Sequence, residues 1–375
     1  MPRPSFRRSL RFDNLETREL LSGVSPGPTP QEQYMLELIN QARMNPQAAA
    51  QQFTSNLSPD VQATLKYYNV NLNATIQAIA SSPAKPPLAW NGDLASAAQA
   101  HSNDMATNQF QSHTGSDGST PDQRMQGAGY TGASSTGENA FAYADSVDEA
   151  MQAFLIDWGV SDAGHRRNLL QPNVSTQNAY KDVGIGISTT PSGSKVGPLV
   201  VTQDFGSQPS ELAQVVGVVY SDNQHSGMYA IGEGQGGVQI DATNLATGQT
   251  TTTQTWASGG YQIPLAPGNY QITASQNGTV IQSVPVTIGS NNVEQDFNTN
   301  QTWDGRSLDQ VLNSLVPASS SPATASTSSS ASTGTWNTVS VPAPTATSSS
   351  SSTPPQVNYS PLFASDWTTW KAPMA

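Results

Sequence analysis

The chain has 375 residues, no cysteine and a net charge of −12, with only 11% of its residues charged. That length exceeds one small core and fits two domains plus extensions. The missing cysteines exclude a disulfide framework and thiol chemistry, the acidic balance leaves no nucleic-acid footprint, and no run approaches the roughly 18 apolar residues that would make a transmembrane span.

Residues 1–28 read as a basic export-type leader and linker. Arg3, Arg7, Arg8, Arg11 and Arg18 hold a third of the 15 basic residues, and no apolar stretch of signal-peptide type follows them. The run Arg11-Phe-Asp-Asn-Leu-Glu-Thr-Arg-Glu-Leu-Leu-Ser resembles a leader-like motif at the start of many large bacterial surface proteins, and a frayed basic arm fits the same residues. Thr29 then starts a helix: Thr29 caps it, Pro30 occupies the first helical position, and Glu32 closes a capping box. Met35, Leu36, Ile39 and Ala42 form its buried stripe, and Pro46 limits its far end. Between Gln47 and Pro87 short helical pieces alternate with Asn and Pro breaks, which reads as an insertion. Asn91-Gly-Asp-Leu opens a second long helix whose Leu94, Ala97, Ala98, His101 and Met105 recur at helical spacing. That spacing puts His101 on the core face as a packing residue.

His113 follows in a loop. Thr120-Pro-Asp-Gln repeats the cap logic and starts a short helix carrying Arg124 and Met125 before Gly127 and Gly129 end it. Ser146-Val-Asp-Glu caps a helix through Met151, Phe154, Leu155 and Trp158, and the Glu149 carboxylate is expected to reach back to the Ser146 amide. Val183-Gly-Ile-Gly-Ile-Ser and Leu199-Val-Val-Thr-Gln-Asp-Phe read as strands.

His113, Glu138 and His165 are the leading candidates for a site. They are two of only four histidines and one carboxylate, each beside glycine and on or near a loop. Two imidazoles and a carboxylate form the ligand set of a catalytic Zn²⁺ site with one position open for water. The same three residues equally fit a hydrogen-bonded cluster tying loops together. Asn139 and Arg166 read as loop braces, the Arg fork suiting backbone carbonyls or Asp162.

The order Phe110-Gln-Ser-His-Thr-Gly, then Gly-Glu-Asn-Ala, then Trp158-Gly-Val-Ser-Asp-Ala-Gly-His-Arg-Arg-Asn-Leu-Leu resembles the CAP superfamily (the sperm-coating, antigen 5 and plant pathogenesis-related group), in its cysteine-free bacterial branch. The resemblance covers about residues 29–207 and implies an α/β/α sandwich with an antiparallel sheet. It also implies a cleft built on His113, Glu138 and His165. The family's second acid, three residues after the tryptophan, falls on Ser161, which weakens paired-acid catalysis and tight metal binding. As a nucleophile, Ser161 would need His165 as its base.

Residues 208–299 carry strand-like runs at Val215–Tyr220, Gly237–Ala242, Gly260–Leu265, Asn269–Ala274 and Val284–Ile288, and read as an all-β sandwich. Their turn motifs resemble the B-type repeats of bacterial adhesins, which implies a stalk. Asp222, Gln224, Ser226, Gly227 and Glu233 occupy positions 1, 3, 5, 6 and 12 of an EF-hand-type loop, a weak Ca²⁺ site or a loop that no longer holds an ion. Residues 300–316 form a short amphipathic segment. Residues 317–356 are a Ser/Thr/Pro-rich linker expected to be disordered, and 357–375 an aromatic tail.

Together these readings predict an extracellular or cell-surface bacterial protein. Its cleft binds a small ligand, a lipid, a peptide or a cell-wall glycan, with Zn²⁺ there and Ca²⁺ in the second domain as candidate cofactors. A metal-dependent, peptidase-like hydrolase using the same cleft and a non-catalytic adhesin or scaffold are the alternatives.

Overall fold

The computed structural model describes residues 27–300. The leader up to residue 26, the segment after residue 300, the Ser/Thr/Pro-rich linker and the aromatic tail lie outside the described residues.

Helix α1 (Pro30–Met44) begins as its sequence dictates. The Thr29 amide donates to Glu32 Oε2 at 2.8 Å and the Glu32 amide donates to Thr29 Oγ1 at 3.3 Å, a reciprocal cap of the kind that contributes about 1 kcal/mol. Asn45 ends α1 and at once caps α2 (Pro46–Thr54). Ser58 caps α3 (Pro59–Tyr67) and Asn71 caps α4 (Leu72–Ala80), so three of these polar breaks each start a new helix. Ala49, Ala50, Phe53 and Ile79 from these helices join the main core.

The sheet of the first domain contains β1 (Ala89–Trp90), β2 (Ser135–Ala144), β3 (Asp182–Thr189) and β4 (Leu199–Ser207) in the order β1-β3-β4-β2. The β2–β4 and β3–β4 pairs are antiparallel, as expected, but the short β1 runs parallel to β3 and makes the sheet mixed at that edge. Helices cover both faces. Val183, Ile185, Val201 and Phe205 point into the core built by α1, α2 and the later helices α7 (Val147–Ile156) and α8 (Gly164–Leu170). The opposite face packs on α5 (Gly92–Asn108) and α6 (Pro121–Ala128).

Two sequence expectations shift here. β2 reads in sequence as a loop because Thr-Gly-Glu-Asn-Ala-Phe-Ala lacks β-branched residues beyond its first position, yet it is a ten-residue strand; small residues serve where helices press on it, and tertiary packing overrides propensity. Glu149 reaches the Asp145 amide (3.0 Å) instead of that of Ser146, while the Ser146 hydroxyl accepts from the Glu149 amide at 3.1 Å.

Buried Arg43 joins the far end of α1 to three distant segments, donating to the carbonyls of Pro86 (3.0 Å), Leu169 (2.7 Å) and Tyr180 (3.3 Å). The alternating glycines of β3 have an equally direct reason. A Cβ on Gly184 would fall 1.9 Å from the Ala95 nitrogen, and one on Gly186 would fall 2.3 Å from the Gln99 nitrogen. The α5 backbone therefore lies directly on the strand.

The second region forms two further sheets. One is β10-β9-β6-β7, antiparallel throughout, from β6 (Gln239–Asn244), β7 (Thr250–Gln254), β9 (Gly268–Gln276) and β10 (Thr279–Ile288). The other centres on β5 (Gln214–Tyr220), paired antiparallel with β8 (Gly260–Pro264) and parallel with β11 (Val293–Glu294) and β12 (Phe297–Asn298). The all-Thr run of β7 and the late parallel pieces β11 and β12 went unrecognised in the sequence, being polar or only two residues long. This region is docked on the first domain. Asn292 Nδ2 donates to the carbonyls of Pro87 (3.1 Å) and Lys181 (2.9 Å), Trp256 packs on the main core, and Tyr34 of α1 packs on Val218, Tyr220 and Tyr229.

Asp182, at the head of β3, is buried and accepts the Tyr130 hydroxyl at 2.8 Å. Burial, and then the charge of Glu211, pushes its carboxyl up to about 8. Between roughly pH 4 and 8 the folded state therefore holds a proton that the unfolded chain has released, so stability falls as pH rises through that window. Asp182→Asn is expected to flatten this slope and to stabilise the fold at pH 8 but not at pH 4, as urea unfolding at the two pH values will measure. Gly184→Ala is expected to cost about 1–3 kcal/mol by the same method, because strand and helix must part to admit a methyl group.

Candidate active-site cleft

Glu138 and Asn139 are neighbours on β2, so their side chains leave opposite faces of the sheet. β2 is also the edge strand. Groups on the two helical layers can therefore reach around it and meet in one cleft.

On the α5 side, Glu138 is 3% exposed and both its oxygens are engaged. His113 Nδ1 contacts Oε1 at 2.7 Å, and Arg124 of α6 donates to Oε2 at 2.5 Å. Arg124 also donates to the carbonyls of His113 (3.0 Å) and Ser119 (2.9 Å), so one guanidinium ties loop, helix and strand together. Burial works to raise the Glu138 pKa, but His113, His101 and Arg124 hold it below the ordinary carboxylate value. His101 lies on the core face as its spacing predicts. It is fully buried, with Nε2 2.8 Å from the Ser112 carbonyl and 4.0 Å from Glu138 Oε1. A carbonyl only accepts, so Nε2 carries the proton, and burial lowers the ring's pKa toward the neutral form.

On the other side, His165 opens α8 and its Nδ1 lies 2.7 Å from Asp157 Oδ1. Asp157 ends α7 in the left-handed region, φ 63°, a conformation Asp tolerates better than most residues. Its Oδ2 accepts the Arg166 amide at 3.0 Å. Arg166 in turn donates to the carbonyls of Leu155 (2.9 Å) and Ile156 (3.1 Å); it is Arg167, not Arg166, that pairs with Asp162. Asn139 braces the centre by donating to the His165 carbonyl (3.3 Å) and to Gln203 Oε1 (3.0 Å), while Asn168 donates to the Glu138 carbonyl (3.1 Å) and to Asn139 Oδ1 (2.9 Å).

The structure thus brings His113, Glu138 and His165 together. The two imidazole centroids are 6.5 Å apart, and all three residues line a cleft of about 210 Å³ whose walls include Val160, Pro172, Val174 and Tyr180. Glu138 stands on a strand and not on a loop. Both its oxygens are engaged, one by His113 and the other by Arg124.

The resemblance placed the second acid at Ser161, but the acid on His165 is Asp157, the residue before Trp158. Ser161 is exposed and is not among the residues lining the cleft. The overlooked signal is an aspartate closing the apolar run of α7. Asp204 was overlooked too. It faces Glu138 across the β2–β4 ladder and is fully buried, and burial together with the charge of Glu138 pushes its carboxyl far above the usual range.

In the second region the loop from Asp222 to Glu233 is closed by hydrogen bonds. Asp222 accepts the amides of Ser226 (2.8 Å) and Gly227 (2.9 Å), and Glu233 accepts those of Asn223 (2.9 Å), Gln224 (3.1 Å) and Ala230 (3.1 Å). The Ser226 hydroxyl donates to the Met228 carbonyl at 2.9 Å. Both carboxylates predicted to hold Ca²⁺ thus accept backbone amides of their own loop.

Residues 36–205 match the family model of CAP, the cysteine-rich secretory protein family, and residues 229–300 match that of the carboxypeptidase regulatory-like domain. The chain therefore carries a CAP domain followed by a carboxypeptidase-regulatory-like β-domain. No curated protein matches it. Among solved structures, it is similar to an extracellular protein containing a SCP domain from Bacillus anthracis str. Ames, at 26% identity and a TM-score of 0.26, over 41% of this chain and 45% of that one. It is also similar to BmVAL-1, at 14% identity and a TM-score of 0.20, over 41% of this chain and 79% of that one. The chain thus spans under half the length of the first of these.

Removing one partner of a buried charge pair strands the other. Arg124→Met is expected to destabilise the fold by about 3 kcal/mol. Adding Glu138→Gln should restore about 1 kcal/mol or more, a coupling that a urea double-mutant cycle will read directly.

Proposed function

We propose that the chain is an exported protein whose CAP-domain cleft binds a small ligand at His113 and His165, with a divalent metal such as Zn²⁺ able to share the site. One observation carries this reading: both imidazoles lining the cleft have Nδ1 held by a buried carboxylate, His113 by Glu138 and His165 by Asp157. A carboxylate only accepts, so it holds the proton on Nδ1, and a neutral ring in that tautomer presents Nε2 as its metal-ligating nitrogen.

The residues suit a metal only in part. Two imidazoles with orienting acids are present, but the third protein ligand of a tight Zn²⁺ site is not supplied by Glu138. Such a metal would supply Lewis acidity to a bound oxygen. The chain's own residues do the rest: Glu138 and Asp157 fix the ring tautomers, Arg124 and Arg166 fix the acids, and Val160, Pro172 and Val174 offer an apolar wall to the body of the ligand. A peptide, a lipid or a cell-wall glycan with a polar end meets these requirements.

Isothermal titration of the full chain with Zn²⁺ tests the reading. Wild type is expected to bind weakly, His113→Ala and His165→Ala to lose at least tenfold, and Asp157→Asn to lose about 10–100-fold through the misaligned ring, all with unchanged circular dichroism. Zn²⁺ binding that survives in the double histidine variant would sink the site. Hydrolysis of a peptide or ester that disappears with both histidines would convert the reading to a hydrolase, and a change in stability alone would favour a scaffold.

A further inference from the structure

A second group of polar side chains lies away from the cleft, in the seam between α1 and the β-domain. Glu37 faces out from α1, Glu294 lies on β11, and Asp296 sits between β11 and β12. One oxygen from each falls within 4.8 Å of the others, the one such grouping of three or more His, Asp or Glu residues among the described residues. These carboxylates line a separate cavity of about 210 Å³ with Gln41, Tyr220 and Tyr229.

Two of the three acids are held in place by hydrogen bonds. Gln33 donates to Oε1 of Glu37 at 2.6 Å, and the Val218 amide donates to Oδ1 of Asp296 at 2.9 Å. Two oxygens of residues lining this cavity, Oε2 of Glu294 and Oε1 of Gln41, are sealed from solvent and accept no hydrogen bond. A buried acceptor left without a donor is costly, and two in one small cavity point to an occupant that supplies positive charge. Among the described residues no Lys, Arg or His forms an ion pair with any of the three acids.

We propose that Glu37, Glu294, Asp296 and Gln41 form a site for a hard divalent cation, Ca²⁺, that clamps α1 to the β-domain. Every donor is oxygen, which suits Ca²⁺ and disfavours softer metals. Ligands at 2.3–2.6 Å from one ion lie no more than about 5 Å from each other, matching the observed spread. Burial pushes all three carboxyls above their usual range, and the charge of neighbouring acids adds to this for Glu37 and Glu294, a penalty that a shared cation relieves. This site is independent of the histidine cleft and distinct from the Asp222–Glu233 loop.

The experiment is titration of the EDTA-treated full chain with CaCl₂, followed by calorimetry and by melting temperature. Wild type is expected to bind with a Kd below about 1 mM and to melt higher with Ca²⁺. Mg²⁺ is expected to bind more weakly, since it demands stricter octahedral geometry. Glu294→Gln should weaken Ca²⁺ at least tenfold and Gln41→Ala severalfold, while Asp222→Asn leaves it within twofold. Should Glu294→Gln fail to fold by circular dichroism, Gln41→Ala decides. The proposal is overturned if wild type shows neither heat nor a melting shift with Ca²⁺, as expected when the acids merely share a proton. It is equally overturned if both Glu294→Gln and Gln41→Ala bind like wild type, or if Asp222→Asn alone abolishes binding.

Discussion

The cleft depends on a property of pleated strands: consecutive residues point to opposite faces. Glu138 and Asn139 are consecutive, and they sit on the outermost strand of the first domain's sheet. One gathers His113 and Arg124 from the α5–α6 layer; the other grips the backbone of His165 from the α7–α8 layer. On an interior strand the same pair would be separated by the sheet itself. At the edge the two layers come within reach, and imidazoles from separate faces share one solvent-reachable hollow.

The helices were readable because their signals are local. Thr29-Pro-Gln-Glu, Thr120-Pro-Asp-Gln and Ser146-Val-Asp-Glu each name a cap within four residues, and helices start after all three. β2 was not readable, since its Gly, Glu, Asn and Ala have low strand propensity and earn their place only by packing against elements distant in sequence. The core face of α5 was legible down to His101, but the hydrogen bond from that ring to the Ser112 carbonyl depends on how the following loop folds back.

The site was legible as residues and not as roles. His113, Glu138 and His165 stand out through the rarity of histidine and the motifs around them. The orienting partners do not: Arg124 looks like one more helical cation, Asp157 like a helix terminus, Asp204 like a polar interruption in a strand. Spacing relative to Trp158 selected Ser161, whereas the left-handed turn at Asp157 swings a carboxylate under the imidazole instead. The Asp222–Glu233 loop shows what spacing alone leaves out. Its spacing matches a metal loop, while its backbone folds inward and fills the acids with amide protons.

Helix α1 serves two masters. Met35, Leu38 and Ile39 are buried in the core of the first domain, while Tyr34 lies against Val218, Tyr220 and Tyr229 of the second. A boundary drawn near residue 207 therefore cuts through a packed seam, and grafting the histidine-bearing half alone onto another carrier would leave the Tyr34 ring on its first helix without the aromatic bed it lies on.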